Sequence, residues 1–319
     1  MAANYHPSLN DPNAWVPYRY VPAKTPAIIF VVAFGLTTAL HICQMVKNRT
    51  WYFAPLIIGG LFEIIGMIGR LLSSDDLWAL GPYIMQSLLL LLAPALFAAS
   101  IYIILGRIIL LVDGEPYSLV PQRRLTKLFV SGDVLSFTVQ MGGGGIQAAG
   151  TLALLHAGEK IIIAGLFIQL VFFGLFVIVA GLFQYRLVRN NPLGLRVGKH
   201  VTEANESVST AGPSSAPFLL RDMPWKRHLY ALYAASGLIM VRSIFRVVEY
   251  IMGNNGYLLR HKVFLYVLDA TLMLFVMIIF NWIHPSEITR RYQERTADVR
   301  AEELSGSEME MHEGPTQRR

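Results

Sequence analysis

Seven stretches of 20–24 largely apolar residues constrain this chain more than any other feature: Pro26–Met45, Phe53–Leu72, Tyr83–Leu105, Leu128–Ala149, Ile161–Phe183, Leu229–Met252 and Val263–Ile283. A helix crosses the roughly 30 Å of a bilayer's hydrocarbon with about 20 such residues. The stretches are about twice as long as barrel strands and do not alternate apolar with polar. Helices, which satisfy their own backbone hydrogen bonds, are the assignment that remains. The sequence therefore predicts an all-α, polytopic membrane protein with seven transmembrane helices. Charge content agrees: 15% of the 319 residues are charged, against about 25% in soluble domains. That is too few to cover a water-exposed surface, and it excludes a disordered chain, a disulfide scaffold and most soluble enzymes.

Lys and Arg set the orientation. With the N-terminus outside, the outer segments hold Arg19, Lys24, Lys160, Arg260 and Lys262, 5 in all, against 19 on the inner side. The inner residues cluster around Lys47, Arg107, Arg123, Arg186, Arg227 and Arg290. An extracellular or lumenal N-terminus and a cytoplasmic C-terminus follow. The net charge of +6 is spread over short loops in this way, which is not the pattern of a nucleic-acid binder. The sequons at Asn48 and Asn205 fall on the cytoplasmic side and are expected to carry no glycan. The domains expected are an outer tail over 1–25, a membrane domain over 26–285 with a flexible cytoplasmic loop at 186–228, and a disordered cytoplasmic tail over 286–319. The first 25 residues are polar and proline-dotted, unlike a secretory leader.

Seven of the 48 charged residues lie inside the spans: Glu63, Arg70, Asp133, Arg242, Arg246, Glu249 and Asp269. Each costs about 2.5–3.5 kcal/mol at a span centre on insertion scales, so each calls for a partner or a purpose. Counted from the outer helix ends, Glu63 and Arg242 lie 9 and 10 residues deep, and Arg246 and Asp269 both lie 6 deep. Arg70 and Glu249 are 2 and 3 residues in. Arg242, Arg246 and Glu249 fall at i, i+4 and i+7, on one stripe of a helix. The expectation is a polar network joining spans two, six and seven, with the pairs Glu63–Arg242, Arg246–Asp269 and Arg70–Glu249. Structural salt bridges, with Arg70 and Glu249 snorkelling to the interface, are the plainer alternative.

The fourth span carries Asp133, Gln140 and Gln147 at intervals of seven, with Gly142-Gly143-Gly144-Gly145 between the last two. Four glycines either break the helix beside a polar cavity or allow close helix packing. Pro94 is expected to kink the third span. Gln86 and Gln169 extend the polar lining, and His41, inside the first span, reads as a helix-contact residue. Much familiar chemistry is missing. There is no Walker A motif, since Gly194–His200 has the wrong spacing, and no zinc-ligand spacing, so neither an ATP site nor a metal is expected. No span contains lysine, which excludes a retinal Schiff base, and the motifs of G-protein-coupled receptors are absent. No cofactor is expected, and no enzyme activity.

The stretches LLAPALFAASIYIILGRII (91–109), LFVSGDVLSFTVQMGGGG (128–145), GEKIIIAGLFIQLVFFGLF (158–176), GLIMVRSIFRVVEYIMGNNGYL (237–258) and FLYVLDATLML (264–274) resemble the fungal RTA-like family, also called lipid-translocating exporters. The resemblance implies a seven-helix protein, N-terminus outside, in the plasma membrane or an internal membrane. It further implies export or transbilayer movement of sphingoid long-chain bases or other toxic amphiphiles, and porphyrin uptake occurs among members. One departure is His261-Lys262, where the family pattern has an acidic residue after the histidine. The expected partners are membrane lipids or amphiphilic small molecules, and no nucleic acid. Glu63, Asp133, Gln140, Arg242, Arg246, Glu249 and Asp269 are the candidate substrate-binding or polar-network residues. A lipid-sensing receptor that signals through the inner loop and tail is the competing function.

Overall fold

The computed structural model describes Tyr18, Tyr20 and residues 21–147, 152–189, 225–253, 256–260, 262–294, 296–297 and 300–301. All of its regular elements are helical. The long ones are α1 (Lys24–Asn48), α2 (Ala54–Leu72), α3 (Leu80–Leu111), α4 (Gln122–Gln147), α5 (Leu152–Val188) and α6 (Trp225–Met252). The last, α7, is α-helical over Lys262–Leu265 and Thr271–Trp282, with a π-helical turn at Tyr266–Ala270 between them. Six of the described helices are long and apolar enough to cross a membrane. The exception is α4. At 26 residues it is longer than α1 and α2, but Arg123, Arg124, Lys127, Asp133 and its polar and glycine residues dilute its apolar character.

Each helix from α1 to α5 packs against its successor, α6 lies against α5 and α3, and α7 closes the bundle between α6 and α1. α3 is the central helix, with both its flanks covered and its buried side chains running from Gln86 to Leu111. The outside of the bundle is apolar. On α1, Val32, Leu36 and Leu40, each one turn from the next, are more than half exposed. On α6, Val241, Ile244, Val248 and Ile251 form a similar stripe. Water does not tolerate so much contiguous apolar surface, whereas lipid does. The interior is the inverse, with Glu63, Arg70, Arg242 and Asp269 each at most 2% exposed. This is an integral membrane protein.

Small residues set the helix spacing. A Cβ placed on Gly59 or Gly66 of α2 would lie within 2.7 Å of Phe97 or Leu90 on α3. Between α4 and α5 the contact is with backbone. A Cβ on Gly143 would meet Gly158 O at 2.8 Å and Ile162 N at 2.9 Å. The helix α4 runs unbroken through all four glycines, so the break allowed by the sequence is absent and close packing is the reason for Gly143. Gly143→Leu must therefore push backbone from backbone, and is expected to cost ~3 kcal/mol, the upper range for overpacking. A Cβ on Gly142 meets nothing within 4 Å, and Gly142→Leu serves as the control. Thermal unfolding of the purified variants in detergent measures the difference, and equal midpoints would show that the α4–α5 contact is not limiting.

Three further expectations meet the structure here. Residues 286–294 are helical, where a disordered tail was expected from 286 onward. Tyr52 Oη donates to Pro285 O at 3.0 Å, and Thr289 Oγ1 donates to Tyr52 Oη at 3.0 Å, which ties the start of that helix to the bundle. Of the expected loop 186–228, residues 186–188 belong to α5 and 225–228 to α6. Its remainder from 190 to 224, with the sequon at Asn205, lies outside the described residues, as do most of the tail, His261 and the side chain of Lys262.

Candidate functional site

The heptad-like spacing on α6 puts Val241, Ile244, Val248 and Ile251 toward lipid and Arg242, Arg246 and Glu249 toward the interior. Opposite them stands Asp269 of α7. It belongs to the π turn, whose extra residue turns the carboxylate toward both arginines. Thr271 Oγ1 donates to Tyr266 O at 2.7 Å, a carbonyl that also accepts the Thr271 backbone N–H across the widened turn. Arg246 Nη2 donates to Asp269 Oδ2, and Arg246 Nη1 donates to Glu249 Oε2 at 2.8 Å. Arg242 Nε makes ion-pair contact with Asp269 Oδ1, without the alignment of a hydrogen bond. One carboxylate thus bridges two guanidiniums.

The second arm of Arg242 has a backbone origin. Pro94 has no N–H, so the carbonyl of Leu90, four residues earlier in α3, lacks its helical donor. Arg242 Nη2 donates to that carbonyl. Beyond the kink expected of Pro94, the proline releases an acceptor in a helix that stays helical through it. In a low-dielectric interior such an acceptor matters, because a buried guanidinium left short of partners is costly.

Glu63 completes the cluster from α2. It is 1% exposed and lies within electrostatic range of Arg242, Arg246 and Asp269. Its Oε1 has no hydrogen-bond partner, and no described cation lies within ion-pair distance. The expected Glu63–Arg242 pair is therefore not formed: Asp269 has taken Arg242. With all five groups ionised, three carboxylates face two guanidiniums, and one positive charge from a proton or a ligand restores balance.

The expected Arg70–Glu249 pair is also not formed, because Glu249 is engaged by Arg246. Arg70 is buried rather than snorkelling, and it is bracketed by tyrosines. Arg70 Nε donates to Tyr266 Oη at 2.9 Å, Nη2 donates to Tyr20 Oη, and the two rings lie 5.0 Å and 5.5 Å from the guanidinium carbon. Burial holds the Tyr20 phenol above its ordinary pKa, so it accepts from Arg70 while keeping its own proton. Tyr20, Tyr266 and the Leu90 carbonyl were not among the expected site residues. Pro94 was the one signal that pointed to the third.

The α4 candidates lie apart from this cluster. Asp133 Oδ2 accepts from Tyr102 Oη at 2.9 Å, and Tyr102 sits among Phe129, Phe173 and Phe176. Gln140 Nε2 donates to Ser136 Oγ at 2.9 Å and to Gln169 Oε1 at 3.1 Å. His41 Nε2 donates to Met277 O at 3.0 Å and ties α1 to α7, a helix contact as expected. Among the described residues, no three His, Cys, Asp or Glu side chains converge as metal ligands would.

A family profile described as RTA1 like protein matches residues 56–292, which contain every charged residue of the cluster. Protein RTM1 of Saccharomyces cerevisiae is 33% identical over 305 residues, covering 83% of this chain and 90% of that protein. Protoporphyrin uptake protein 1 of the same yeast is 34% identical over 307 residues, covering 84% and 92%. The yeast sphingoid long-chain base transporter RSB1 is 26% identical over 279 residues, covering 83% and 72%. No solved structure matches the chain.

Proposed function

The chain belongs to the RTA1-like protein family, and from that premise we propose that it moves amphiphiles across a membrane, with sphingoid long-chain bases as the preferred cargo. In this proposal all seven long helices cross the bilayer, the N-terminus lies outside, and the plasma membrane is the site of action. The supporting observation is Glu63, a carboxylate deep in the bundle whose Oε1 has no partner, in a cluster where three carboxyl groups face two guanidiniums. A sphingoid base supplies such a charge as a primary ammonium, while its tail stays against the apolar exterior. Relatives named for a sphingoid base and for protoporphyrin indicate that one scaffold serves different amphiphiles. Protoporphyrin carries carboxylates, so the sign of this cluster favours the base. No Walker A motif is present, and movement then follows the gradient of the cargo or of protons.

The test is transport by the purified protein in liposomes. A labelled long-chain base is expected to cross faster than in protein-free liposomes, while its N-acetyl derivative, which cannot carry the charge, and protoporphyrin are expected to cross at the protein-free rate. Equal acceleration of the base and its N-acetyl derivative would overturn the charge-based assignment.

A further inference from the structure

A second polar feature lies between α3, α4, α5 and α6, at the end of the bundle where α3 begins and α4 ends. It is a partly open cavity of about 40 Å³. Its polar wall comprises Tyr83, Ser87, Gln140, Gln147 and Tyr250, and its apolar wall includes Leu88 and Ile162. Gln140 is 2% exposed, and its Oε1 has no hydrogen-bond partner. The orientation of that amide is fixed by its neighbours. Ser136 Oγ already donates to Gly165 O at 2.9 Å, so it can only accept from Gln140, and it does so from Nε2. Oε1 is therefore a bare, buried acceptor on a residue that lines the cavity.

The surroundings favour a cationic donor. Tyr83 and Tyr250 both lie within electrostatic range of Glu249, and Tyr250 also lies within range of Arg246, Glu159 and Asp269. The space is that of a small head group or a few waters. The floor is Gly144, where an added Cβ would meet only Leu88 Cδ2, at an ordinary 3.5 Å. The glycine run thus divides its work: Gly143 sets the helix spacing and Gly144 keeps the cavity open.

We propose that this cavity is a binding subsite for the ammonium or hydroxyl head of a long-chain amphiphile, with Gln140 Oε1 as its acceptor and Gly144 as the residue that leaves it room. The proposal rests on the reading of the protein as an amphiphile carrier, and it places a head-group station whose wall at Tyr250 is one residue from Glu249 of the charged cluster.

The test is equilibrium binding of a fluorescent long-chain 2-amino-1,3-diol to the full chain in nanodiscs of uncharged lipid, with flux of the same probe measured separately in liposomes. Wild type and Gly142→Leu, whose added Cβ meets nothing within 4 Å, are expected to bind alike. Gly144→Leu fills the cavity, and Gln140→Leu removes the acceptor. Each is expected to weaken binding about tenfold or more, the factor that one hydrogen bond to a charged donor represents. Melting midpoints of both variants equal to that of Gly142→Leu show that the loss is local, and a variant that fails this comparison is replaced by Gly144→Val or Gln140→Met. Equal binding by all variants would overturn the subsite while leaving carriage to the flux measurement. Absence of saturable binding by wild type would also overturn it, whereas loss of wild-type flux alone would overturn the carrier reading.

Discussion

Asp269→Asn is expected to destabilise the bundle by ~3–5 kcal/mol, the range for removing one partner of a buried ion pair. The estimate follows from how many groups depend on that carboxylate. Asp269 neutralises both Arg242 and Arg246 at 2% exposure. Without its charge, Arg242 keeps only the Leu90 carbonyl and Arg246 keeps only Glu249. Neither arginine can turn to lipid, since the opposite face of α6 is the exposed stripe of Val241, Ile244 and Val248. Thermal unfolding in detergent reads the effect as a lower midpoint or as failure to purify in monodisperse form. The bridge also bears on the charge reversal suggested by a simple pair. Arg246→Asp with Asp269→Arg is expected not to restore stability, because the swap places a new cation beside Arg242. Recovery of the wild-type midpoint by that double variant would mean that Arg246 and Asp269 act as an isolated pair.

The stripe Arg242, Arg246 and Glu249 was legible in the sequence because helical periodicity is a property of one element alone. The Arg246–Asp269 contact was legible because both residues lie at one depth on neighbouring helices. Depth, however, says nothing of rotation about a helix axis. The π turn at Tyr266–Ala270 rotates Asp269 between two arginines, and no residue pattern in FLYVLDATLML announces that turn. Once Asp269 serves both, Glu63 loses its expected partner and Glu249 is drawn to Arg246. Arg70 then depends on Tyr20 and Tyr266, tyrosines that by sequence look like ordinary interface residues. The glycine run was half legible: small residues predict close packing, but only the geometry separates Gly143 at a backbone contact from Gly144 at a cavity. Helix α4 shows the same limit for the fold. Its polar side chains, Asp133, Ser136 and Gln140, are buried inside the bundle, and hydropathy averaged around the helix cannot record which face they occupy.

Glu63 carries the central claim, and its neutral isostere separates function from folding. Glu63→Gln keeps the volume and removes the charge. Because Glu63 makes no ion pair in the cluster and its Oε1 has no hydrogen-bond partner, the variant is expected to fold with a melting midpoint at or above wild type. The cluster then holds two carboxylates against two guanidiniums and no longer requires a cation. A charged hydrogen bond of about 1.5–3 kcal/mol is lost to the ammonium, which corresponds to roughly tenfold to a hundredfold in rate. The direct measurement is flux of a labelled long-chain base through liposomes containing wild-type or Glu63→Gln protein, at equal protein content and with folding checked by melting. A fall by that factor with the midpoint maintained is the predicted result; flux at the wild-type rate through well-folded Glu63→Gln protein would contradict it.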